Sequence, residues 1–524
     1  EYKNTGVKLG GKIMITLPYK TLSICPECFR IIPAEVYEEN GKVLIKKECQ
    51  EHGEFVDVYW GDVEMFKRAS KYAHDGKGIE NPITPFDKGC PFSCGLCGFH
   101  RSHTALLNIV LTNRCDLACW YCFFYAKRAG YVYEPTIEQI KQMVIAAKNL
   151  KPVGCNAVQL TGGEPCLRDD LIEIVKAIKA LGIDHIQLNT NGIRLALEPD
   201  FAKKVRENGV NTVYLSFDGI DEKTNPKNIK EIPKILENCR NAQLGIVLVP
   251  TVINSVNDHQ LGDIIRFGAR NIDIIRGVNI QPVSFIGRMP KIEREKYRIT
   301  IPDVIKRIEE QTDGQVARDD FYPVPSVCPI THFVEAITNE PKYEFTPHFA
   351  CGMATYVYVK NDELIPITQF VDVDGLLEYL DEKAGEIRKS RVKRLRTISA
   401  LLDLRKFVDK VKAPKEFSIA KILFDILIKH DYSSLGKFHQ KFLFIGMMHF
   451  QDPYNYDIER VKRCVIHYGS PDGRIIPFCA FNVLSKFYRD KIQEQFSIPI
   501  EEWEKRTGKS IDKEIYRVIT RPRS

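Results

Sequence analysis

The sequence predicts an α/β protein whose central part is a parallel β-sheet covered by helices. Branched apolar runs alternate with segments of helical period between residues 103 and 312, and the runs end in Gly, Asn, Asp, Ser or Thr. The 524 residues exceed one ordinary core, so two or three domains are expected. We expect a cysteine-rich region at residues 1–102, the alternating region at 103–312 and a different C-terminal region at 313–524.

The alternating region contains six predicted strands with helices between them. The strands are expected at residues 105–112, 156–162, 185–190, 212–218, 244–252 and 277–284. The helices are expected at residues 136–150 and 167–182, and near 198–208, 228–241 and 258–269. Strands that alternate with helices in this way form parallel sheets, whose ligands bind beyond the carboxyl ends of the strands.

Composition describes a soluble globular protein, with 44% hydrophobic and 27% charged residues. The net charge is +7, from 75 basic and 68 acidic residues, which is less than a nucleic-acid-binding protein usually carries. Nucleic acid is therefore not an expected partner. No apolar run approaches the ~20 residues that a membrane-spanning helix needs. The longest, at residues 442–450, has the size of a core segment.

The sixteen cysteines are clustered, and tight CxxC and CxxxCxxC spacings are typical of metal sites in a reducing compartment. Disulfides suit small secreted domains and are not expected here. We therefore expect a cytoplasmic protein. Cys155, Cys166 and Cys239 lie outside the groups and are interpreted as small buried residues.

The stretch "LTNRCDLACWYCFFYA" at residues 111–126 places three thiols just after the first strand. Cys115, Cys119 and Cys122 are one ligand short of a closed tetrahedral site. A 4Fe–4S cubane held by three thiolates keeps one iron free for another ligand. The alternative is a zinc knuckle whose fourth ligand comes from elsewhere.

Polar turns follow the next three strands at the same expected face. They are "TGGEP" with Gly162, Gly163 and Glu164, "NTNG" with Asn189, and "SFDG" with Ser216 and Asp218. Glycine lets the backbone approach a ligand closely, and a glutamate can accept from an ammonium group. Turns after strands are often rich in these residues for geometry alone, but their succession indicates a binding site.

Together, the cysteine loop, the GGEP turn and the six-strand pattern resemble the radical S-adenosylmethionine (SAM) superfamily. The resemblance implies a partial (β/α)6 barrel in which Cys115, Cys119 and Cys122 hold a 4Fe–4S cluster. The free iron would bind the amino and carboxylate groups of SAM, and a 5′-deoxyadenosyl radical would abstract hydrogen from an unactivated carbon. The implied SAM contacts are Gly162, Gly163, Glu164, Asn189, Ser216 and Asp218.

Three further cysteine groups indicate additional metal sites. They are Cys25, Cys28 and Cys49; Cys90, Cys94 and Cys97; and Cys328, Cys351, Cys464 and Cys479. The first looks like half a rubredoxin or zinc ribbon, and its fourth ligand is open between His52 and another thiol. Iron and zinc suit such a site equally well. In the last group, "PDG" predicts a hairpin that brings Cys464 and Cys479 together. We expect three 4Fe–4S clusters, two of them auxiliary, and one mononuclear iron or zinc.

The full chain also resembles the archaeal tetraether lipid synthase family, through the CPEC knuckle, the "GCPFSCGLCGFH" group and the segments near Cys351 and Cys479. The resemblance implies carbon–carbon coupling between the terminal methyl carbons of phytanyl chains in archaeal phospholipids, giving the biphytanyl chains of macrocyclic archaeol and tetraethers. An auxiliary cluster would hold the alkyl radical. The implied partners are an archaeal phospholipid, a ferredoxin-like electron donor and the membrane surface, touched peripherally without a transmembrane segment.

Three segments test the lipid interpretation independently. Residues 399–430 and 435–450 are amphipathic and either line an acyl tunnel, lie on a membrane or simply pack on the barrel. Residues 387–396, "IRKSRVKRLR", hold either phosphate headgroups or a solvated helix face. Alternative functions are another radical SAM enzyme with auxiliary clusters, such as a peptide maturase or a methylase, and a zinc-ribbon nucleic-acid-binding protein.

Overall fold

The computed structural model describes residues 7–9, 12–124, 129–415, 417–421 and 438–521. Its N-terminal part is a short hairpin followed by a four-stranded antiparallel sheet and a helix. The elements are β1 Val7–Leu9, β2 Lys12–Met14, β3 Tyr19–Ile24, β4 Ile31–Glu39, β5 Lys42–Cys49, β6 Gly53–Trp60 and α1 Val63–Ser70. Alternate residues of β4 and β5 are buried, as expected for a sheet with one face on a core.

The central part alternates strands and helices. Its elements are β7 Leu106–Thr112, β8 Leu117–Cys119, β9 Tyr131–Tyr133, α2 Ile137–Lys148, β10 Ala157–Gly162, α3 Leu171–Ala180, β11 His185–Thr190, α4 Ile193–Leu197, α5 Pro199–Glu207, β12 Thr212–Ser216, α6 Ile232–Asn241, β13 Gly245–Val249, β14 Thr251–Val252, α7 Leu261–Arg270 and β15 Ile275–Pro282. Helix α2 begins in a capping box between Thr136 and Gln139.

The six predicted strands and the helices between them are confirmed. Strands β7, β10, β11, β12, β13 and β15 are neighbours in that order, and every adjacent pair is parallel. This is the sheet of a partial (β/α)6 barrel, as the resemblance to the radical SAM superfamily implies. Their apolar runs are buried because helices cover the sheet.

The C-terminal part mixes helices with strands. Its first elements are α8 Arg294–Tyr297, α9 Ile301–Gln311, β16 Tyr322–Pro323, α10 Cys328–Thr338, β17 Gly352–Lys360, β18 Glu363–Pro366, α11 Val373–Lys389 and α12 Lys393–Asp403. The later ones are β19 Phe442–Met448, α13 Ile458–Lys462, β20 Ile466–Gly469, β21 Ile475–Pro477, α14 Phe478–Val483, α15 Arg489–Gln495, β22 Ser497–Pro499, α16 Ile500–Thr507 and β23 Arg517–Ile519. The predicted PDG hairpin is confirmed, since β20 and β21 pair antiparallel around Gly473.

C-terminal strands extend both edges of the barrel sheet. Strand β19 lies parallel beside β15, and β20 lies parallel beside β7. The apolar run at 442–450 is therefore mostly the strand β19, whose side chains are largely buried in the sheet rather than lying on a membrane. Of the predicted amphipathic segments, residues 416, 422–430 and 435–437 lie outside the described residues. The predicted boundary at residue 312 falls before strands that join the same sheet.

A buried ion network joins three parts of the chain. Arg298 donates from Nε to Asp57 of the N-terminal sheet at 3.0 Å and also contacts Asp452, which follows β19. The side chains are 6%, 7% and 0% exposed, respectively. Burial raises the pKa of Asp452, but the Arg298 guanidinium outweighs it and lowers that pKa to about 2. The network thus ties the N-terminal sheet and the C-terminal part to the barrel.

Replacing Arg298 by methionine is expected to lower the free energy of unfolding by roughly 3–5 kcal/mol, because the fully buried Asp452 carboxylate loses its guanidinium partner and Asp57 keeps only Arg294. Urea denaturation of the anaerobically purified protein, followed by circular dichroism, measures the loss. Arg270→Met removes an exposed pair with Asp362 and is the control, with a loss below about 1 kcal/mol. Equal losses in the two variants would contradict a role for the network.

Candidate active site and metal centres

The predicted cysteine loop lies just beyond the carboxyl end of β7, and other elements hold it from two sides. Strand β8, inside the loop, pairs in parallel with β23 near the end of the chain. On the other side, Arg288 donates from its backbone nitrogen to the Cys122 carbonyl at 3.1 Å and from its guanidinium to the Cys119 carbonyl at 3.0 Å. The loop is therefore positioned by segments far apart in sequence.

Burial raises the pKa of all three loop thiols, that of Cys119 to about 12. The thiols thus stay protonated at neutral pH until a metal displaces their protons. Among the described residues, the compact set of ligand atoms that suits a single ion occurs elsewhere, in the N-terminal sheet. A cubane needs its sulfurs farther apart than a single ion does, and the assignment of Cys115, Cys119 and Cys122 to a cluster stays a prediction.

The GGEP turn lies directly against the start of the cysteine loop. Gly163 donates its backbone N–H to the Thr112 carbonyl at 2.8 Å, and Glu164 donates to the Arg114 carbonyl at 2.7 Å. A Cβ on Gly162 would lie 2.3 Å from the Thr112 oxygen, and one on Gly163 would lie 2.0 Å from the Arg114 oxygen. Only glycine permits this approach, so the predicted glycine pair has a geometric reason in the structure.

Glu164 is 2% exposed and accepts hydrogen bonds from three neighbours. The donors are the Thr190 hydroxyl at 2.7 Å, the Asn191 backbone at 2.8 Å and the Cys166 backbone at 2.9 Å. Burial, and next the carboxylate of Asp116, raise the pKa of Glu164 to about 7. A cationic group bound here would offset the repulsion between these carboxylates.

Asp116, the residue after the first loop cysteine, is held by Asn191. The Asn191 amide donates to the Asp116 carboxylate at 2.6 Å, and burial raises the pKa of Asp116. The Asp116 carbonyl accepts from the backbone of Tyr516 and Arg517, next to β8 and β23. These contacts give Asp116 a place in the loop structure. Sequence reasoning missed Asn191, although it belongs to the same NTNG turn as Asn189.

The other predicted SAM contacts lie at the ends of the next strands. Asn189 donates to the Thr161 hydroxyl at 3.2 Å. Asp218 accepts from the Thr251 backbone at 2.9 Å and forms an ion pair with Lys227 at 2.7 Å. Ser216 accepts from the Lys227 ammonium at 3.3 Å. Each thus faces the same end of the sheet as the cysteine loop.

Lys227 is a residue that sequence reasoning missed. It is 5% exposed, and its ammonium lies 5.2 Å from the centre of the Tyr121 ring, within the cysteine loop. Burial lowers the pKa of Lys227, but Asp218 and the thiols of Cys119 and Cys122 outweigh it and raise the pKa. The ammonium therefore adds positive charge beside the loop. Its surroundings, "NPKN", carry no sequence signal of this role.

The N-terminal cysteine group is completed by His52. The ligand atoms of Cys25, Cys28, Cys49 and His52 all lie within 4.8 Å of one another. The His52 Nδ1 is 3.5 Å from the Cys49 sulfur and 3.7 Å from that of Cys25. His52 lowers the pKa of Cys49 to about 6, which favours the thiolate that metals bind. Three sulfurs and one nitrogen at this spacing suit a tetrahedral ion.

The second group lies between the N-terminal sheet and the barrel. Cys94 and Cys97 are buried, and the Cys90 thiol and burial together raise the pKa of Cys94. The Cys94 backbone donates to the Tyr488 hydroxyl at 3.1 Å, which in turn donates to the Pro91 carbonyl. The C-terminal part therefore fixes the loop between Cys90 and Cys94.

The structure brings together three of the four C-terminal cysteines. Burial raises the pKa of the Cys464 thiol, and the nearby thiols of Cys479 and Cys351 raise it further. The Arg460 guanidinium donates to the Cys351 sulfur at 3.4 Å. Cys328 instead begins α10, with its sulfur 3.8 Å from the Phe345 carbonyl. Its role as a metal ligand stays a prediction.

One apolar cluster contains cysteines of three groups. Cys94 and Cys479 are buried in it, and Cys90, Cys122 and Cys464 pack against it. Its aromatic members include Phe124, Tyr133, Tyr456, Tyr468, Phe478 and Phe481. The cysteine loop and two of the other cysteine groups thus share apolar, aromatic surroundings. Cys155, Cys166 and Cys239 are 2%, 1% and 0% exposed, which confirms that they are small buried residues.

Comparison with known proteins identifies the superfamily. Residues 109–268 match the model of the radical SAM superfamily, and residues 17–61 match that of the HMPTM N-terminal zinc ribbon domain. A 7,8-dihydro-6-hydroxymethylpterin dimethyltransferase of Methanocaldococcus jannaschii is 48% identical over 510 residues, which cover 95% of this chain and 99% of that protein. The chain belongs to that protein's family, within the radical SAM superfamily.

More distant members of the superfamily match parts of the chain. A probable GTP 3′,8-cyclase of Methanocaldococcus jannaschii is 31% identical over 41% of this chain and 69% of its own. The crystal structure of SuiB from Streptococcus suis covers 40% of this chain and 46% of its own, with 20% identity and a TM-score of 0.34.

The predicted superfamily and the fold class with an N-terminal ribbon are thus confirmed. Membership implies one 4Fe–4S cluster and SAM, whereas the number of auxiliary clusters stays a prediction. The predicted lipid synthase identity finds no support in these comparisons, since the near full-length relative is a pterin methyltransferase. Among the described residues, every helix is too short or too polar to span a bilayer.

For the ribbon site, Cys28→Ala is expected to lower the metal content by about one ion per chain, because three ligands do not retain a structural ion. Mass spectrometry of the metals in the purified chain measures this loss. Glu51→Ala removes an exposed carboxylate beside the site, which pairs with Arg30, and should leave the content unchanged. Equal metal contents in the unaltered protein, Cys28→Ala and Glu51→Ala would argue against a metal site in the ribbon.

For SAM binding, Glu164→Gln is expected to raise the dissociation constant roughly tenfold to a hundredfold, because hydrogen bonds to charged groups contribute about 1.5–3 kcal/mol. Anaerobic equilibrium dialysis with labelled SAM measures it. The pKa of Glu164 is about 7, so the affinity of the unaltered protein should rise as pH increases through neutrality and the carboxylate becomes charged. Glu198→Gln changes an exposed carboxylate and is the control. Parallel pH profiles for the unaltered protein and Glu164→Gln would contradict the assignment.

Proposed function

We propose that this protein is a radical SAM methyltransferase whose substrate is a reduced 6-hydroxymethylpterin. The observation that supports it is the similarity to the Methanocaldococcus jannaschii dimethyltransferase, at 48% identity over nearly all of both chains. The similarity is not confined to the SAM-binding barrel at residues 109–268, so it includes the parts outside the barrel that distinguish one radical SAM enzyme from another. Each methyl transfer replaces one hydrogen of the pterin by a methyl group.

The residues at the barrel end fit the cofactors of this chemistry. Cys115, Cys119 and Cys122 would hold the cluster, and the GGEP turn, packed against the start of the cysteine loop, would contact SAM. When bound, the cluster and SAM supply a reductively generated 5′-deoxyadenosyl radical, which abstracts hydrogen from an unactivated carbon. The protein's own contribution is to bind, orient and exclude water.

Charge at the site favours a zwitterionic ligand. The Glu164 carboxylate, buried beside Asp116, would accept from the ammonium group of SAM. Lys227, buried beside the loop sulfurs, would offset the negative charge of a thiolate-bound cluster and so raise its reduction potential. Asp218 holds Lys227 in place through the 2.7 Å ion pair. The site thus stabilises both cofactors with charges that are already fixed in position.

A second candidate function is the coupling of phytanyl chains that the lipid synthase resemblance implies. The observation that favours it is the apolar cluster around Cys94, Cys122 and Cys479, because apolar, aromatic surroundings are more compatible with an alkyl chain than with a polar pterin. Coupling two terminal methyl groups forms one carbon–carbon bond and removes two hydrogens. This candidate requires an auxiliary cluster near the radical site.

An assay with both substrates distinguishes these functions. The reconstituted protein is incubated anaerobically with SAM, dithionite and either 7,8-dihydro-6-hydroxymethylpterin or an archaeal phospholipid with phytanyl chains. Mass spectrometry is expected to show the pterin gaining the mass of one methylene per methyl transferred, together with 5′-deoxyadenosine. SAM labelled in its methyl group shows whether that group is the one transferred.

Cys119→Ala should abolish the product because the radical cluster loses a ligand, whereas Cys239→Ala changes a buried cysteine outside the groups and should retain it. If the pterin is unchanged and the phospholipid has lost two hydrogens, the proposed methylation is wrong and lipid coupling is the function. If neither substrate changes while 5′-deoxyadenosine forms, both candidate substrates are wrong.

A further inference from the structure

Helix α12 has two apolar faces, and one of them is exposed. Thr397, Ala400 and Leu401 are buried on one face, where α12 packs with Leu404 against α11. The outer face carries large apolar side chains at intervals of three or four residues. They are Val392, Leu395, Ile398 and Leu402, which are 56%, 68%, 40% and 55% exposed. We call these four residues the outer face of α12.

Such a face is unusual on a surface helix, because the side turned away from the core is normally polar. The next loop adds Val411, which is 94% exposed between Lys410 and Lys412. Contiguous exposed apolar residues rimmed by polar ones mark interaction sites. The outer face therefore points to a partner with an apolar component.

The charge around this face has one dominant sign. Residues 387–412 contain ten basic and two acidic side chains. The two acids, Asp403 and Asp409, are engaged: Asp403 pairs with Lys406 at 2.5 Å, and Asp409 accepts from the backbone of Val411. From the neighbouring helix α11, Glu386 pairs with Arg396 at 3.1 Å.

Several of the basic residues form no ion pair with another described residue. Arg391, Arg394 and Lys410 are exposed and belong to this set, while Lys412, also exposed, interacts electrostatically with Asp409. Free cations beside exposed leucines suit a surface that is both anionic and apolar. A polyanion such as nucleic acid would satisfy the cations but would leave the leucines in water.

We propose that the outer face of α12, with Arg391, Arg394 and the Lys410–Lys412 turn, is a docking surface for an anionic lipid bilayer. The leucines enter the boundary between headgroups and acyl chains, and the basic residues contact the headgroup phosphates. This inference goes beyond the proposed function, because the docking does not depend on which substrate is used. For residues 387–396, where the sequence leaves open a headgroup-binding segment or a solvated helix face, it favours headgroup binding.

The test is flotation of the full-length holoprotein with vesicles. The unaltered protein is expected to float with vesicles of phosphatidylglycerol and phosphatidylcholine and to remain unbound with phosphatidylcholine alone. Arg391→Gln with Arg394→Gln should weaken partitioning about thirtyfold, since each basic residue near an anionic surface contributes about 1 kcal/mol. Leu395→Gln with Leu402→Gln should weaken it at least about tenfold, because the buried apolar area is lost.

A matched control replaces exposed apolar residues elsewhere. Ile292→Gln with Leu197→Gln changes side chains that are 96% and 60% exposed and should float like the unaltered protein. Iron content and 5′-deoxyadenosine formation verify that each variant is folded. Flotation needs no turnover, so its outcome is independent of the substrate assay.

Three outcomes would overturn the proposal. The first is that the unaltered protein fails to float with the anionic vesicles. The second is that the leucine variant floats as well as the unaltered protein, which would indicate a site that binds polyanions without an apolar contribution. The third is a change of oligomeric state in the leucine variant, seen by light scattering after gel filtration, which shows that a second copy of the chain covers the face.

Discussion

The structure depends on the pairing of C-terminal strands with the two edges of the barrel sheet. An unpaired strand edge exposes a row of backbone donors and acceptors, and β19 and β20 satisfy them beside β15 and β7. The segment between them, residues 449–465, must therefore run from one edge to the other. Along this path Arg460 contacts Cys351, while Asp457 accepts from Thr21 at 2.7 Å and from Tyr59 at 2.8 Å in the N-terminal sheet.

This connection explains why the cysteine groups converge although they lie hundreds of residues apart. Cys464 stands just before β20, Cys479 follows β21, and Cys351 stands just before β17. Once these strands are paired, the thiols have little freedom left. The same segment anchors the N-terminal sheet, where Lys47, 2% exposed, donates to the Pro453 carbonyl at 2.6 Å. Burial lowers the pKa of Lys47 to about 7, so burying this side chain favours the neutral amine over the charged ammonium.

At the barrel end, close backbone contact and buried charge act together. The glycine pair lets the GGEP turn hydrogen-bond to the first residues of the cysteine loop, and that contact buries Glu164 beside Asp116. The resulting repulsion favours a cationic ligand at this point. On the far side of the loop, Lys227 has the opposite effect and favours negative charge at the sulfurs. A ligand with a cationic amine beside an anionic cluster therefore complements the site.

The sequence by itself determined the barrel strands, the cysteine loop and the GGEP turn, because periodicity and spacing are local properties that each segment carries alone. The same local reasoning recognised the CPEC knuckle and the hairpin between Cys464 and Cys479. It left open the fourth ligand at the ribbon, which the structure supplies as His52, and its assignment of Cys328 as a metal ligand stays a prediction. Only the tertiary structure decided that residues 442–448 form a buried strand, that Lys227 lies beside the cysteine loop and that α12 exposes Leu395 and Leu402. Apolar periodicity indicates that a segment has an apolar face, but which residues cover that face depends on packing between distant parts of the chain.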